Sequence, residues 1–143
     1  MIVRTLGLDV GDRRIGLAIS DPNGRIAVPL RTLHRTAQDS AFDAIAALVA
    51  EEDVEAVVVG LPLSLDGSTG PQAESVQEFV RQLLPAINVP VTLWDERLST
   101  VQAEQMLRRD RPASRKGKAE QDALAAAIIL QGYLDSRPER QAG

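Results

Sequence analysis

A change of period near residue 39 constrains this chain more than any other feature. Before it, three strand-like runs follow one another with linkers short enough only for reversal; after it, helical and strand-like runs alternate. Residues 2 to 10 (IVRTLGLDV) are apolar and rich in β-formers, and Gly11 follows at once. Residues 14 to 20 (RIGLAIS) and 25 to 34 (RIAVPLRTLH) flank Asp21-Pro22-Asn23-Gly24, a strong hairpin turn signal. Runs joined in this way are antiparallel neighbours. Pro29 cannot donate to a ladder, which assigns its strand to the sheet edge.

Beyond the switch, Phe42, Ile45, Leu48 and Val49 share one helical face, with Asp39 or Ser40 as the N-cap. The stretch VEAVVVGLP follows, continuously apolar from Ala56 to Val59, the pattern of a central parallel strand covered on both sides. A Gly- and Ser-containing loop (Ser64 to Gly70), a helix opening at Pro71 and running to about Leu84, and the strand VPVTLWDE complete a βαβαβ series. Ser99, with Gln102 three residues on, predicts a capped helix to about Arg109, and an Ala-rich helix spans about Ala119 to Leu134. This order is ribonuclease H-like: an α/β fold with a mixed five-stranded sheet, three antiparallel strands then two parallel ones, flanked by helices. A flavodoxin-like sheet, the alternative, needs a βα unit where the first hairpin stands. With 143 residues, one domain over 1–136 and a flexible tail over 137–143 are expected.

The absence of cysteine removes thiolate zinc sites and Cys nucleophiles and fits a reducing compartment. The apolar N-terminal stretch is too short for a signal peptide, and no run approaches membrane-spanning length, so a cytoplasmic protein without membrane partners is expected. The net charge of −4 argues against a simple nucleic-acid binder. The average hides an asymmetry: residues 37 to 88 hold nine acids and one base, Arg81, leaving eleven acids against fifteen bases elsewhere.

Three carboxylates stand out. Asp9 ends an apolar strand, bracketed by Gly7 and Gly11, which let backbone or a phosphate approach closely; its plainer role is to cap the turn. Glu96 closes the last strand, at the carboxyl edge where ligands of open α/β sheets collect. Strand alternation turns Asp95 to the opposite face, and an Asp95 or Glu96 bridge to Arg97 is the structural alternative. Asp122 sits in the first turn of a helix that is apolar almost all round, sharing a face with Ala125, Ala126 and Ile129. A carboxylate there needs compensation, from the helix N-terminus or from a cation. Oxygen ligands without Cys or His suit Mg²⁺ or Mn²⁺. Such a site can hold two metals about 3.5–4 Å apart to hydrolyse a phosphodiester.

Residues 108 to 118, RRDRPASRKGK, carry six bases against one acid. Arg115, Lys116 and Lys118 in this loop, with Arg13 and Arg14 beyond Asp9, are the candidate phosphate ligands. The sole histidine, His34, reads as a surface residue, so His-based acid–base chemistry has little support. The few aromatic residues are too scattered for base stacking.

The segments GLDVGDRRIGLAISD, VVVGLPLSLDG, LWDERLST and QDALAAAIILQGYL, in this order and spacing, resemble the bacterial YqgF family of ribonuclease H-like proteins over Leu6 to Leu134. The resemblance implies a metal-dependent nuclease with Asp9, Glu96 and Asp122 as catalytic acids. It further implies maturation of the 5′ end of 16S pre-rRNA or, alternatively, cleavage of branched DNA as a Holliday junction resolvase, by a monomer or homodimer. Two other classes remain open. Actin-like ATPases and sugar kinases share the Asp-x-Gly turn but need two such domains, and a non-catalytic ribosome-assembly factor would keep the acids without using them.

Overall fold

The computed structural model describes residues 3–36, 40–98, 105 and 118–137, with the side chains of 118 and 119 outside that description. The first three strands are β1 (Thr5–Val10), β2 (Arg14–Ser20) and β3 (Ala27–His34). Two tight reversals join them. In the first, the Gly11 amide donates to the Arg14 carbonyl at 2.9 Å. In the second, the Asp21 carboxylate accepts from the amides of Arg25 and Ile26, and Gly24 takes a left-handed φ of 70° that a side chain would resist.

Helix α1 (Ala41–Glu51) opens on Ser40, whose hydroxyl accepts from the Asp43 amide; the other cap candidate, Asp39, lies outside the described residues. Strand β4 (Ala56–Leu61), helix α2 (Pro71–Leu83) and strand β5 (Val91–Asp95) follow, α2 starting at its proline as expected. The last described helix is α3 (Lys118–Ser136). The helix expected over Ser99 to Arg109 lies outside the described residues except for Gln105, which is helical.

The five strands lie in the order β3-β2-β1-β4-β5, antiparallel through β3, β2 and β1 and parallel from β1 to β5, the ribonuclease H-like arrangement. Strand β3 is an edge, as Pro29 requires, and it is bulged there: Leu17 faces Arg31 while Ala18 faces Pro29, leaving Leu30 unopposed.

The sheet separates two cores. Leu6, Leu8, Ile15, Leu17, Ile19, Val57 and Val59 pack with Ile45 and Leu48 of α1 and Val76, Phe79 and Leu83 of α2. On the other side, Ala18, Ala27 and Val58 meet Ala126, Ala127, Ile129, Leu130 and Leu134 of α3. That second side is built of small residues because the helix backbone presses on it. A Cβ on Gly16 would stand 1.9 Å from the carbonyl oxygen of Asp122, and one on Gly7 2.8 Å from Leu130 Cβ. Gln131, 1% exposed, fastens the far end of α3 to the β2–β3 hairpin: its Oε1 accepts from the Ala27 amide and its Nε2 donates to the Arg25 carbonyl, each at 2.9 Å.

Candidate active site

Strand register and helix approach together decide which acids meet. Asp9 has the parity of Gly7, so it faces α3, and its cross-strand partner on β2 is Gly16. The glycine that admits the Asp122 backbone is thus the residue beside Asp9. Asp122 falls on the fifth residue of α3, past the first turn, because the helix begins at Lys118. Its compensation accordingly comes from a side chain: Arg14 Nε donates to Asp122 Oδ2 at 2.6 Å.

Glu96 arrives from the opposite side. Strand β5 ends at Asp95, and Glu96 begins a short 3-10 turn (Glu96–Leu98). The Asp95 carboxylate turns the chain by accepting the Arg97 amide at 3.0 Å, and it holds the Arg97 guanidinium through Nε and Nη2. Arg97 also donates to the Leu65 carbonyl, bracing the loop after β4. The Asp95–Arg97 bridge leaves Glu96 free to fold over Gly60, where an added Cβ would lie 3.0 Å from Glu96 Oε2. Trp94, beneath it, packs edge-on against Tyr133 of α3 with centroids 5.8 Å apart.

The electrostatics follow this order. Burial, then the neighbouring Asp122 charge, raises Asp9 above the usual carboxylate range. Burial, then Asp9, then Asp95, pushes Glu96 up to about 7. Asp9 is therefore the central acid, felt by one neighbour and feeling the other. A cleft of about 320 Å³ opens beside it, lined by Asp9, Gly11, Asp12, Arg13, Arg14 and Asp122.

Among the described residues, no three acids converge closely enough to hold a metal ion as the side chains stand. Asp122 is drawn to Arg14, whereas Asp9 and Glu96 have the chemistry of a cation-seeking pair, each half-buried and each resisting its own negative charge. An oxygen-preferring dication fits that pair. Of the basic candidates, Arg13 and Arg14 line the cleft, Arg115 and Lys116 lie outside the described residues, and Lys118 contributes a described backbone at the start of α3. Sequence reasoning did not single out Gly16 and Gly60, whose lack of a side chain lets Asp122 and Glu96 come in. Their signal was faint: one glycine in each apolar run, at the end nearest an acid.

Fold and site together define a ribonuclease H-like protein with carboxylates gathered at one edge of the sheet and an arginine-bearing cleft. Within that class, the family model described as Holliday junction resolvase, RuvX, matches residues 3–136, and the chain belongs to that family. A relative from Chloroflexus aggregans is 54% identical over 132 residues, covering 92% of this chain and 93% of its own length. Another, from Thermoanaerobacter pseudethanolicus, is 45% identical over 139 residues, covering 96% of this chain and 100% of its own. Both are provisionally named pre-16S rRNA nucleases. Among solved structures, Thermus thermophilus RuvC aligns with a TM-score of 0.63 at 19% identity, over 93% of this chain and 96% of that one. The fowlpox virus resolvase, solved with Holliday junction DNA, aligns with a TM-score of 0.57 at 12% identity, over 94% of this chain and 98% of that one. These likenesses show a shared fold. No helix among the described residues is long and apolar enough to cross a membrane.

Proposed function

We propose that this chain is a divalent-metal-dependent nuclease that hydrolyses phosphodiester bonds in structured nucleic acid, its substrate being the 5′ end of 16S pre-rRNA in the cytoplasm. The observation that carries this reading is the pair of half-buried acids on either side of β4, Asp9 and Glu96, both shifted toward their neutral forms, with Asp9 lining a cleft that holds Arg13 and Arg14. The names of the curated relatives support ribosomal RNA as substrate.

Asp9 and Glu96 would hold Mg²⁺ or Mn²⁺, with Asp122 as the third catalytic acid. When bound, such a metal activates water and stabilises the leaving oxygen of a phosphodiester. The chain's own contribution is positioning. Arg13 and Arg14 would orient the phosphate, and Arg115, Lys116 and Lys118 would extend the cationic track along the nucleic-acid backbone. The α3 face, closed by Ala126 and Ile129, limits water behind the acids. A second reading, cleavage of branched DNA, is favoured by the description of the matching family model.

Incubating the protein with labelled precursor rRNA and with four-way DNA junctions, in Mg²⁺, Mn²⁺ or EDTA, separates the two. Partners of metal ligands cost about 10–100-fold in activity when removed, so Asp9→Asn is expected to cost more than 100-fold. The same variant is expected to melt higher, because it removes a carboxylate whose charge is disfavoured. Undiminished cleavage by Asp9→Asn would overturn the mechanism, whereas no cleavage by wild type in either metal would leave a non-catalytic role in ribosome assembly.

A further inference from the structure

Among the described residues, the Arg14 side chain has one hydrogen-bonded engagement, and it has the chemistry for another. Its Nε lies 2.6 Å from Asp122 Oδ2, with 32% and 25% of the two side chains exposed, so both reach whatever enters the cleft. A guanidinium fork suits phosphate oxygens as well as it suits a carboxylate. Asp122 is contested in the same way, because it lines the same cleft as Asp9, whose cross-strand partner Gly16 seats the Asp122 carbonyl. A cation drawn in by Asp9 therefore competes with Arg14 for it.

The backbone on both sides is fixed. Arg14 is the first residue of β2, its carbonyl bonded by the Gly11 amide, and the Asp122 carbonyl is seated on Gly16 with no room to spare. Any change of partner is thus confined to the two side chains.

We infer that Arg14 and Asp122 form an exchangeable pair: a phosphate entering the cleft takes Arg14, and the released Asp122 turns to the cation at Asp9, so that phosphate and divalent metal bind cooperatively. This rests on the phosphodiesterase reading and deepens it, giving the phosphate ligand Arg14 a second role exerted through Asp122. Until phosphate arrives, Arg14 supplies the positive charge that the metal would otherwise supply. In its absence the three acids stand uncompensated and attract a cation more strongly.

The test is Mn²⁺ affinity, read from the spin-resonance signal of the free ion, with the full chain and with the dinucleotide UpU as a one-phosphodiester probe. Wild type is expected to bind Mn²⁺ about tenfold tighter when UpU is present, within the usual range of coupling between sites. Arg14→Gln is expected to bind Mn²⁺ about tenfold tighter than wild type without UpU, and to gain nothing further from it. Asp122→Asn, which also breaks the pair, is expected to keep Mn²⁺ binding at Asp9 and Glu96 and to lose the gain from UpU. Arg14→Gln that binds Mn²⁺ no tighter than wild type, or that still gains from UpU, overturns the exchange. Mn²⁺ binding that Asp9→Asn leaves untouched overturns the nuclease reading as well, whereas Asp9-dependent binding that ignores Arg14 overturns the exchange alone.

Discussion

The residues of β1 and β2 that meet α1 and α2 include Leu6, Leu8, Ile15, Leu17 and Ile19; those that meet α3 include Gly7, Gly16 and Ala18. The first set is large and interlocked with Phe79, Leu83 and Ile45, and it supplies the bulk of the apolar burial. The second set is small, so that α3 lies close enough to bring Asp122 level with Asp9. One face of the sheet is packed for stability and the other for approach. A helix held off by leucines would leave its carboxylate too far from the strand end to matter electrostatically.

Four substitutions sharpen or break this contrast. Leu17→Ala, at a position with no exposure, is expected to cost about 4 kcal/mol in urea unfolding. It should leave cleavage per folded molecule intact, because Leu17 faces away from the acids. Gly16→Ala places a Cβ against a backbone carbonyl that cannot swing aside and is expected to cost about 3 kcal/mol. Unlike Leu17→Ala, it should also abolish cleavage by displacing Asp122. Equal activity in the two variants would mean that close approach of α3 is not what the glycines are for.

Gln131→Ala unpairs the Ala27 amide and the Arg25 carbonyl and is expected to cost about 2 kcal/mol by chemical denaturation, with a smaller loss of activity than Gly16→Ala.

The smallest effect is a pH slope. Glu96, pushed up to about 7, binds more protons folded than unfolded between the ordinary glutamate range and that value. Its contribution to stability is therefore full at acid pH and is lost as pH rises through about 7. In EDTA, the melting temperature of wild type relative to Glu96→Gln should fall between pH 5 and 8. A flat difference would show that Glu96 does not lie in the crowded environment described.

Much of the fold was legible because its signals are local. The two-residue alternation in RIGLAIS, the turn Asp21 to Gly24, the serine before α1 and the proline that opens α2 each act within a few residues, and each gave the element found. Pro29 named an edge strand because a missing donor has the same consequence in any sheet. The placement of Asp9 and Glu96 at the same edge of the sheet, on either side of β4, followed from topology alone. Less legible was the end of β5, where strand alternation was expected to carry through Glu96. Asp95 instead bends the chain onto Arg97, and Glu96 reaches Gly60 from a turn.

By itself, the sequence determined the period of each segment, the order of the strands and the family to which the chain belongs, since these depend on neighbours along the chain or on motifs in series. Only the tertiary structure decided how each acid is compensated. Arg14 and Asp122 lie 108 positions apart, and no periodicity links them. Their meeting depends on a helix pressed against a glycine, and the proton affinities of Asp9 and Glu96 depend on the burial and charge that this packing creates. Electrostatic partnership is set by distance through space, which a linear pattern does not encode.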